Sequence, residues 1–245
     1  MNTENSSDQM PRAFPNTRWS VVLAARQSSP GAAAALEILC RDYWYPLYAY
    51  VRRCGQTPQD AQDLTQEFFR RLLEKRWLDA ADREKGRLRS FLITVLKKFM
   101  INEWNRRSAQ RRGGGMTPAP MDTVFAESRF AADTHSLAPD ETYDRQWALT
   151  LIRLTTDRLR AEFVADGKPG DYEVLKDCLI ADRGAIDYEA VAGRLGVNEG
   201  AARVAVHRLR KRFRAVYREE ISRTLDQDAD VDEELRHLAA ALSRS

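Results

Sequence analysis

Apolar residues along this chain recur at spacings of three and four, and alternating period-two runs are nearly absent, so the pattern predicts helices. The first covers 32–53 and bends near Pro46, where a missing N–H and the ring disturb the ladder; Gly55 ends it. "TPQD" (57–60) restarts the chain, with Thr57 suited to the N-cap, Pro58 to the first helical position and Asp60 to the positive helix end. The second helix runs to Lys75 and buries a stripe of Ala61, Leu64, Phe68 and Leu72, beside an acidic stripe of Asp60, Asp63 and Glu67. A basic turn (82–90) broken by Gly86 follows. Ser90 then caps a third helix over 91–108, apolar at Phe91, Val95, Phe99 and Trp104.

Residues 109–139 are rich in Gly, Pro, Ala and Ser without a sustained period, and read as an interdomain linker. Helices resume over 140–163 and 171–181. A short helix over 188–195, the turn Gly196-Val197-Asn198 and a long helix from Glu199 make the helix-turn-helix pattern. In the long helix Ala202, Val206, Leu209, Phe213 and Val216 form a core-facing stripe, and Val191, Ala192 and Leu195 offer the short helix for packing. Rotated by about 100°, Arg203, His207, Arg210 and Arg214 form a second stripe. The tail ends in an amphipathic helix with Val231, Leu235, Leu238 and Leu242 on one face.

Net charge is only +3, but its distribution is uneven. Residues 83–112 hold ten Lys/Arg against two acids, and 226–234 hold six acids and no base. Such segregation points to separate anion-facing and cation-facing surfaces. No apolar run approaches the about 18 residues of a membrane span, and the first 20 residues lack a signal-peptide core, so a cytoplasmic protein is expected. Cys40, Cys54 and Cys178 share no metal spacing with His135, His207 and His237, and are expected to be buried, reduced thiols. Gly113–Gly115 follows a basic helix rather than a strand, so it is no phosphate cradle. Nothing supports catalysis, a metal or a cofactor.

The charges point to nucleic acid. A solvated basic face would explain the six bases between Arg203 and Arg214, but not the turn and the small residues that let two helices approach closely. Glu199 can accept from a cytosine amino group and Arg203 can bond guanine bidentately, while the later bases meet phosphates. With only these two readers the helix needs a second contact. The basic cluster 83–112, with Phe91, Phe99 and Trp104 among its bases, can supply it on a single strand, although Phe91 and Phe99 also suit the core. The acidic stripe with Gln66 and Phe69 can dock a basic partner.

These segments resemble, in order, three parts of bacterial RNA polymerase sigma factors of the extracytoplasmic-function type in the sigma-70 family. "CGQTPQDAQDLTQEFFRRLL" (54–73) is similar to their polymerase-docking segment, "GRLRSFLITVLKKFMINEWNRRSAQRR" (86–112) to their −10 reader, and "YEAVAGRLGVNEGAARVAVHRLRKRF" (188–213) to their −35 helix-turn-helix. The resemblance implies an all-α protein whose two helical domains are joined by a flexible linker. It divides the chain into an N-terminal extension (1–30), region 2 (31–112), a linker (113–139), region 4 (140–223) and an acidic C-terminal extension (224–245). Asp60, Asp63, Gln66 and Glu67 would meet core polymerase. Lys85, Arg87, Arg89, Lys98, Asn102 and Arg106 would hold the melted −10 strand, and Glu199, Arg203, His207, Arg208 and Arg210 the −35 duplex. No catalytic residue is implied.

The chain departs from the common pattern in three places. Phe91 stands where many members carry Trp, and Arg203-Val204-Ala205 where many carry Lys-Ser-Arg. The linker and acidic tail exceed a minimal member, and a tail rich in Asp and Glu can cover a basic DNA face. Control by an anti-sigma protein, a kinase or that tail is left open, as are a free-standing helix-turn-helix repressor or activator and a helical adaptor that binds no DNA.

Overall fold

The computed structural model describes residues 30–74, 77, 87–110, 123–133, 137–225 and 230–244. Every regular element among them is helical: α1 (Pro30–Arg53), α2 (Pro58–Glu74), α3 (Leu88–Gln110), α4 (Thr123–Ala132), α5 (Pro139–Ala165), α6 (Pro169–Leu175), α7 (Tyr188–Leu195), α8 (Glu199–Ser222) and α9 (Val231–Ser243). Short 3-10 turns at Lys176–Leu179 and Arg183–Ala185 lie between α6 and α7. The expected all-α class is what the structure has.

Local chemistry sets most of the boundaries. Gly55, at φ 85°, ends α1 in a conformation that a side chain would strain. The Thr57 hydroxyl accepts from the Asp60 amide at 3.1 Å and donates to the Asp60 carboxylate at 2.7 Å, while Pro58 opens α2. Ser90 does not cap the third helix. Its amide and that of Phe91 already donate to the Arg87 carbonyl, so α3 starts at Leu88. The buried face is therefore Leu88, Leu92, Leu96, Phe99 and Glu103, whereas Phe91 and Val95 are half-buried and Trp104 is 65% exposed. The near-continuous apolar run from Phe91 to Leu96 left the phase of this helix ambiguous, and the earlier start resolves it.

Two cores share one long helix. Apolar residues of α1, α2 and α3 meet Tyr143, Trp147, Ala148 and Leu151 of α5, Ile221 of α8 and Leu238 of α9 in the larger core. Trp147 stacks on Tyr43 of α1 with ring centroids 4.3 Å apart. Leu159 of α5 joins α6, α7 and α8 in the smaller core, built on Ala202, Val206, Leu209 and Val216. At 27 residues, α5 extends about 40 Å and reaches both.

Inside the segment expected to be a linker lies α4, which is anchored rather than merely connecting. Ala126 is buried, and Glu127 accepts from Arg52 of α1 at 2.7 Å and from the Tyr48 hydroxyl. Of the cysteines, Cys178 is buried and Cys40 half-buried, with burial raising the Cys40 thiol to about 11. Cys54 is exposed, contrary to expectation, because it falls in the turn after α1. All three thiols are free.

Candidate nucleic-acid interface

The helix-turn-helix forms as the spacing predicts. Asp187 caps α7 by accepting from the Ala190 amide at 2.9 Å, and Asn198 caps α8 by accepting from the Ala201 amide at 2.8 Å. Between them Gly196 takes φ 68°, and the Val197 amide closes back on the Ala192 carbonyl at 3.0 Å. These bonds fix the angle at which α8 leaves the turn. Ala202, Val206 and Leu209 face Val191 and Ala192, all buried.

The opposite side of α8 holds Glu199, Arg203, His207 and Arg208 in solvent. Arg203 donates to the Glu199 carboxylate at 3.2 Å and lies 4.2 Å over the Tyr188 ring of α7. The two expected base readers are thus paired with each other, an exposed contact of little strength that a base edge can replace. Arg208, Lys211 and Arg214 are exposed and make no ion pair with the described residues. Arg210 differs. Its guanidinium turns inward to the Cys178 carbonyl at 2.9 and 2.7 Å and to the Ala181 carbonyl. In this structure it braces α8 against the preceding 3-10 turn and does not face solvent with its neighbours.

On α2 the acidic row runs beside the buried stripe of Ala61, Leu64, Phe68 and Leu72. Asp60, Asp63, Gln66 and Glu67 are all half-exposed. Asp63 accepts from Gln59 at 3.1 Å. Glu67 is gripped by Arg70 and, at 2.7 Å, by Arg71; the Arg70 hydrogen bond chiefly holds its carboxyl below the ordinary value, against partial burial. Arg71 continues to Glu103 of α3 at 2.6 Å, so Glu67 belongs to a network that ties the two helices together.

The expected −10 residues divide into two sets. Lys98, Asn102 and Arg106 recur every four residues along the exposed side of α3, and Arg106 is braced by Glu103 at 2.9 Å. Lys85 lies outside the described residues. Arg87 and Arg89 are covered. Arg89 is 5% exposed, donates to Glu234 of α9 at 2.8 Å and also pairs with Asp144 of α5. Burial works against its charge, but the Glu234 hydrogen bond and the Asp144 and Glu234 charges outweigh that and raise the guanidinium above its ordinary value. Arg87 reaches the same Glu234 carboxylate at 3.0 Å. Neither arginine is presented to a strand in this arrangement.

The sequence reading missed Glu234 and Asp144. Glu234 sits three residues after Val231 and four before Leu238, on the apolar face of α9. A lone charge at such a position was the available signal, because a buried carboxylate demands a buried cation.

A helical bundle is joined to a helix-turn-helix, and exposed basic rows run along α3 and α8. The family model described as Sigma-70 region 2 matches residues 39–110, from within α1 to the end of α3, which is less than half of the chain. No curated protein and no solved structure matches the chain. No helix among the described residues is long and apolar enough to cross a membrane, and none of their His, Cys, Asp and Glu side chains cluster to hold a metal.

Proposed function

We propose that this chain is a cytoplasmic sigma factor of the extracytoplasmic-function type, which docks on core RNA polymerase and directs it to promoters. One observation carries the reading: a segment matching sigma-70 region 2 is followed, in the same chain, by a helix-turn-helix whose second helix opens on solvent. On this reading Asp60, Asp63, Gln66 and Glu67 meet the polymerase. Lys85, Lys98, Asn102 and Arg106, with Arg87 and Arg89 once uncovered, track the melted −10 strand. Glu199 and Arg203 read the −35 duplex, with His207, Arg208, Lys211 and Arg214 beside them. Arg210 is left out, since its donors are used inside the protein.

Reconstitution with core polymerase tests it. The expected outcome is a stable complex that initiates transcription at a specific site, with neither partner sufficient alone. Sequence-specific DNA binding by the chain alone, with no affinity for polymerase, would instead make it a free-standing regulator. Within the complex, replacing Arg203 by Ala should cost about 1–3 kcal/mol of promoter affinity and relax preference at one base pair. An equal loss on all sequences would reassign Arg203 to a phosphate.

A further inference from the structure

The acidic extension ends in a helix docked on α5 and α8, and its reach to the arginines at the start of α3 suggests what it does. Asp230 caps α9 by accepting from the Asp232 amide at 2.8 Å, and Asp232, Glu233 and Glu234 place negative charge on the first turn, where a helix favours it. Leu238 is buried in the larger core, with Val231, Leu235 and Leu242 packed against it, and Ala241 is buried too. Polar contacts hold the helix along its length. Arg218 of α8 pairs with Asp232, His237 contacts Asp144 at 2.9 Å, Arg145 donates to the Leu242 carbonyl at 2.6 Å, and Arg244 reaches Glu141 at 3.0 Å.

At the centre stands Glu234, fully buried, with both oxygens bonded to Arg89 and one also to Arg87. Glu233 lies 3.8 Å from Arg87 on the outer side, and Asp144 takes the remaining arm of Arg89. The Tyr143 hydroxyl donates to the Arg89 carbonyl at 3.0 Å, so the backbone here is also held. Two guanidiniums are thus matched by Glu234 and Asp144. Arginines neutralised in this way have little attraction left for a polyanion. The exposed readers of α8 and the half-exposed acidic row of α2 are not closed off in this fashion.

We infer that α9 is a pseudo-substrate for the single-strand site: its Glu233–Glu234 pair and the phosphates of a DNA strand are alternative partners of Arg87 and Arg89. The helix occupies the Arg87–Arg89 end of the −10 face while Lys98, Asn102 and Arg106, the polymerase-docking row and the helix-turn-helix remain accessible. Full strand capture therefore requires α9 to release Arg87 and Arg89, and the protein alone binds single-stranded DNA weakly. The idea rests on the assignment of α3 to DNA made above.

The test compares the full chain with Leu238→Ser, which loosens α9 without touching a charge, and with a chain ending at Leu225. A fluorescently labelled single-stranded oligonucleotide is the probe, at fixed salt. Both variants should bind at least about tenfold more tightly, since a site open in about a tenth of the molecules or fewer keeps at most that fraction of its affinity. Hydrogen exchange on the full chain is the second arm, independent of whether the variants fold. Saturating oligonucleotide should accelerate exchange at the amides of residues 231–243. Equal affinity in folded variants, or unchanged α9 protection in the DNA-bound full chain, overturns the competition while leaving α3 as a DNA face. No oligonucleotide binding by any form, with loss of Lys98 or Arg106 also without effect, removes both the competition and that assignment.

Discussion

Arg210 of α8 is bonded through two guanidinium nitrogens to the carbonyl oxygen of Cys178, 32 residues earlier in the chain. The residue shares a helix with Arg203, Arg208, Lys211 and Arg214, yet it serves the fold. Replacing Arg210 by Ala should cost about 1.5–3 kcal/mol, as expected for hydrogen bonds from a charged donor, and lower the melting temperature. The slope of DNA affinity against salt should not change. Replacing Arg208 by Ala should do the opposite, leaving melting within error and reducing that slope by roughly 1. Matching effects from the two substitutions would contradict this division of labour.

The acidic row of α2 allows a similar separation. Asp63 meets only Gln59 among the described side chains, so Asp63→Lys should alter stability by no more than about 0.5 kcal/mol. Glu67 anchors Arg70 and Arg71, and through Arg71 the buried Glu103, so its reversal also disturbs the α2–α3 contact. Loss of polymerase binding in Glu67→Lys would therefore have two causes. In Asp63→Lys it has one. Pull-down against core polymerase, with melting as the control, should show affinity falling about tenfold at unchanged stability, worth about 1.4 kcal/mol.

These cases show why part of the molecule was legible in the sequence and part was not. Thr57, Pro58, Asp187, Gly196 and Asn198 act on their own helix ends, through bonds within a few residues, so the boundaries of α2, α7 and α8 follow from local chemistry. The stripes of α2 and α8 were readable because polar residues interrupt them at the helical period. The stripe of α3 was not, since its apolar residues run continuously and only the partner helix selects a face. Nor could spacing reveal that Arg89 meets Glu234, which lies 145 residues away, or that α4 interrupts the supposed linker by bonding Glu127 to Arg52. Ion pairs across such separations depend on how α1, α5 and α9 stack, and no periodicity encodes that.

The Arg52–Glu127 pair gives a pH dependence with a definite sign. Chiefly the Arg52 hydrogen bond, then that of Tyr48, lowers the Glu127 carboxyl below its ordinary value against partial burial. A carboxyl lowered in the folded protein stabilises it fully above the unfolded value, about 4.3, and loses that contribution as pH falls through the folded value. The pair is partly solvated, so the contribution is about 1 kcal/mol or less. Glu127→Gln should accordingly melt below wild type at pH 7, with the gap narrowing as pH falls below about 4.3. A gap that is constant or widens in acid would show that the charge of Glu127 is not what holds α4.

Trp147 tests whether the two halves of the chain unfold together. It is fully buried, it stacks on Tyr43 of α1, and it belongs to α5, which also supplies Leu159 to the helix-turn-helix core. Removing the ring leaves a large cavity and one lost aromatic contact, which should cost about 3–5 kcal/mol. The loss falls on the larger core alone, since Leu159 is three turns further along α5 and packs with α6, α7 and α8. In the wild type, hydrogen exchange measured in increasing urea should release the core amides of α1 and α8 at the same concentration. In Trp147→Ala those of α1 should open first, while Val206 and Leu209 keep their protection. If α1 and α8 still open together, α5 transmits the damage along its length and the two cores form one cooperative unit.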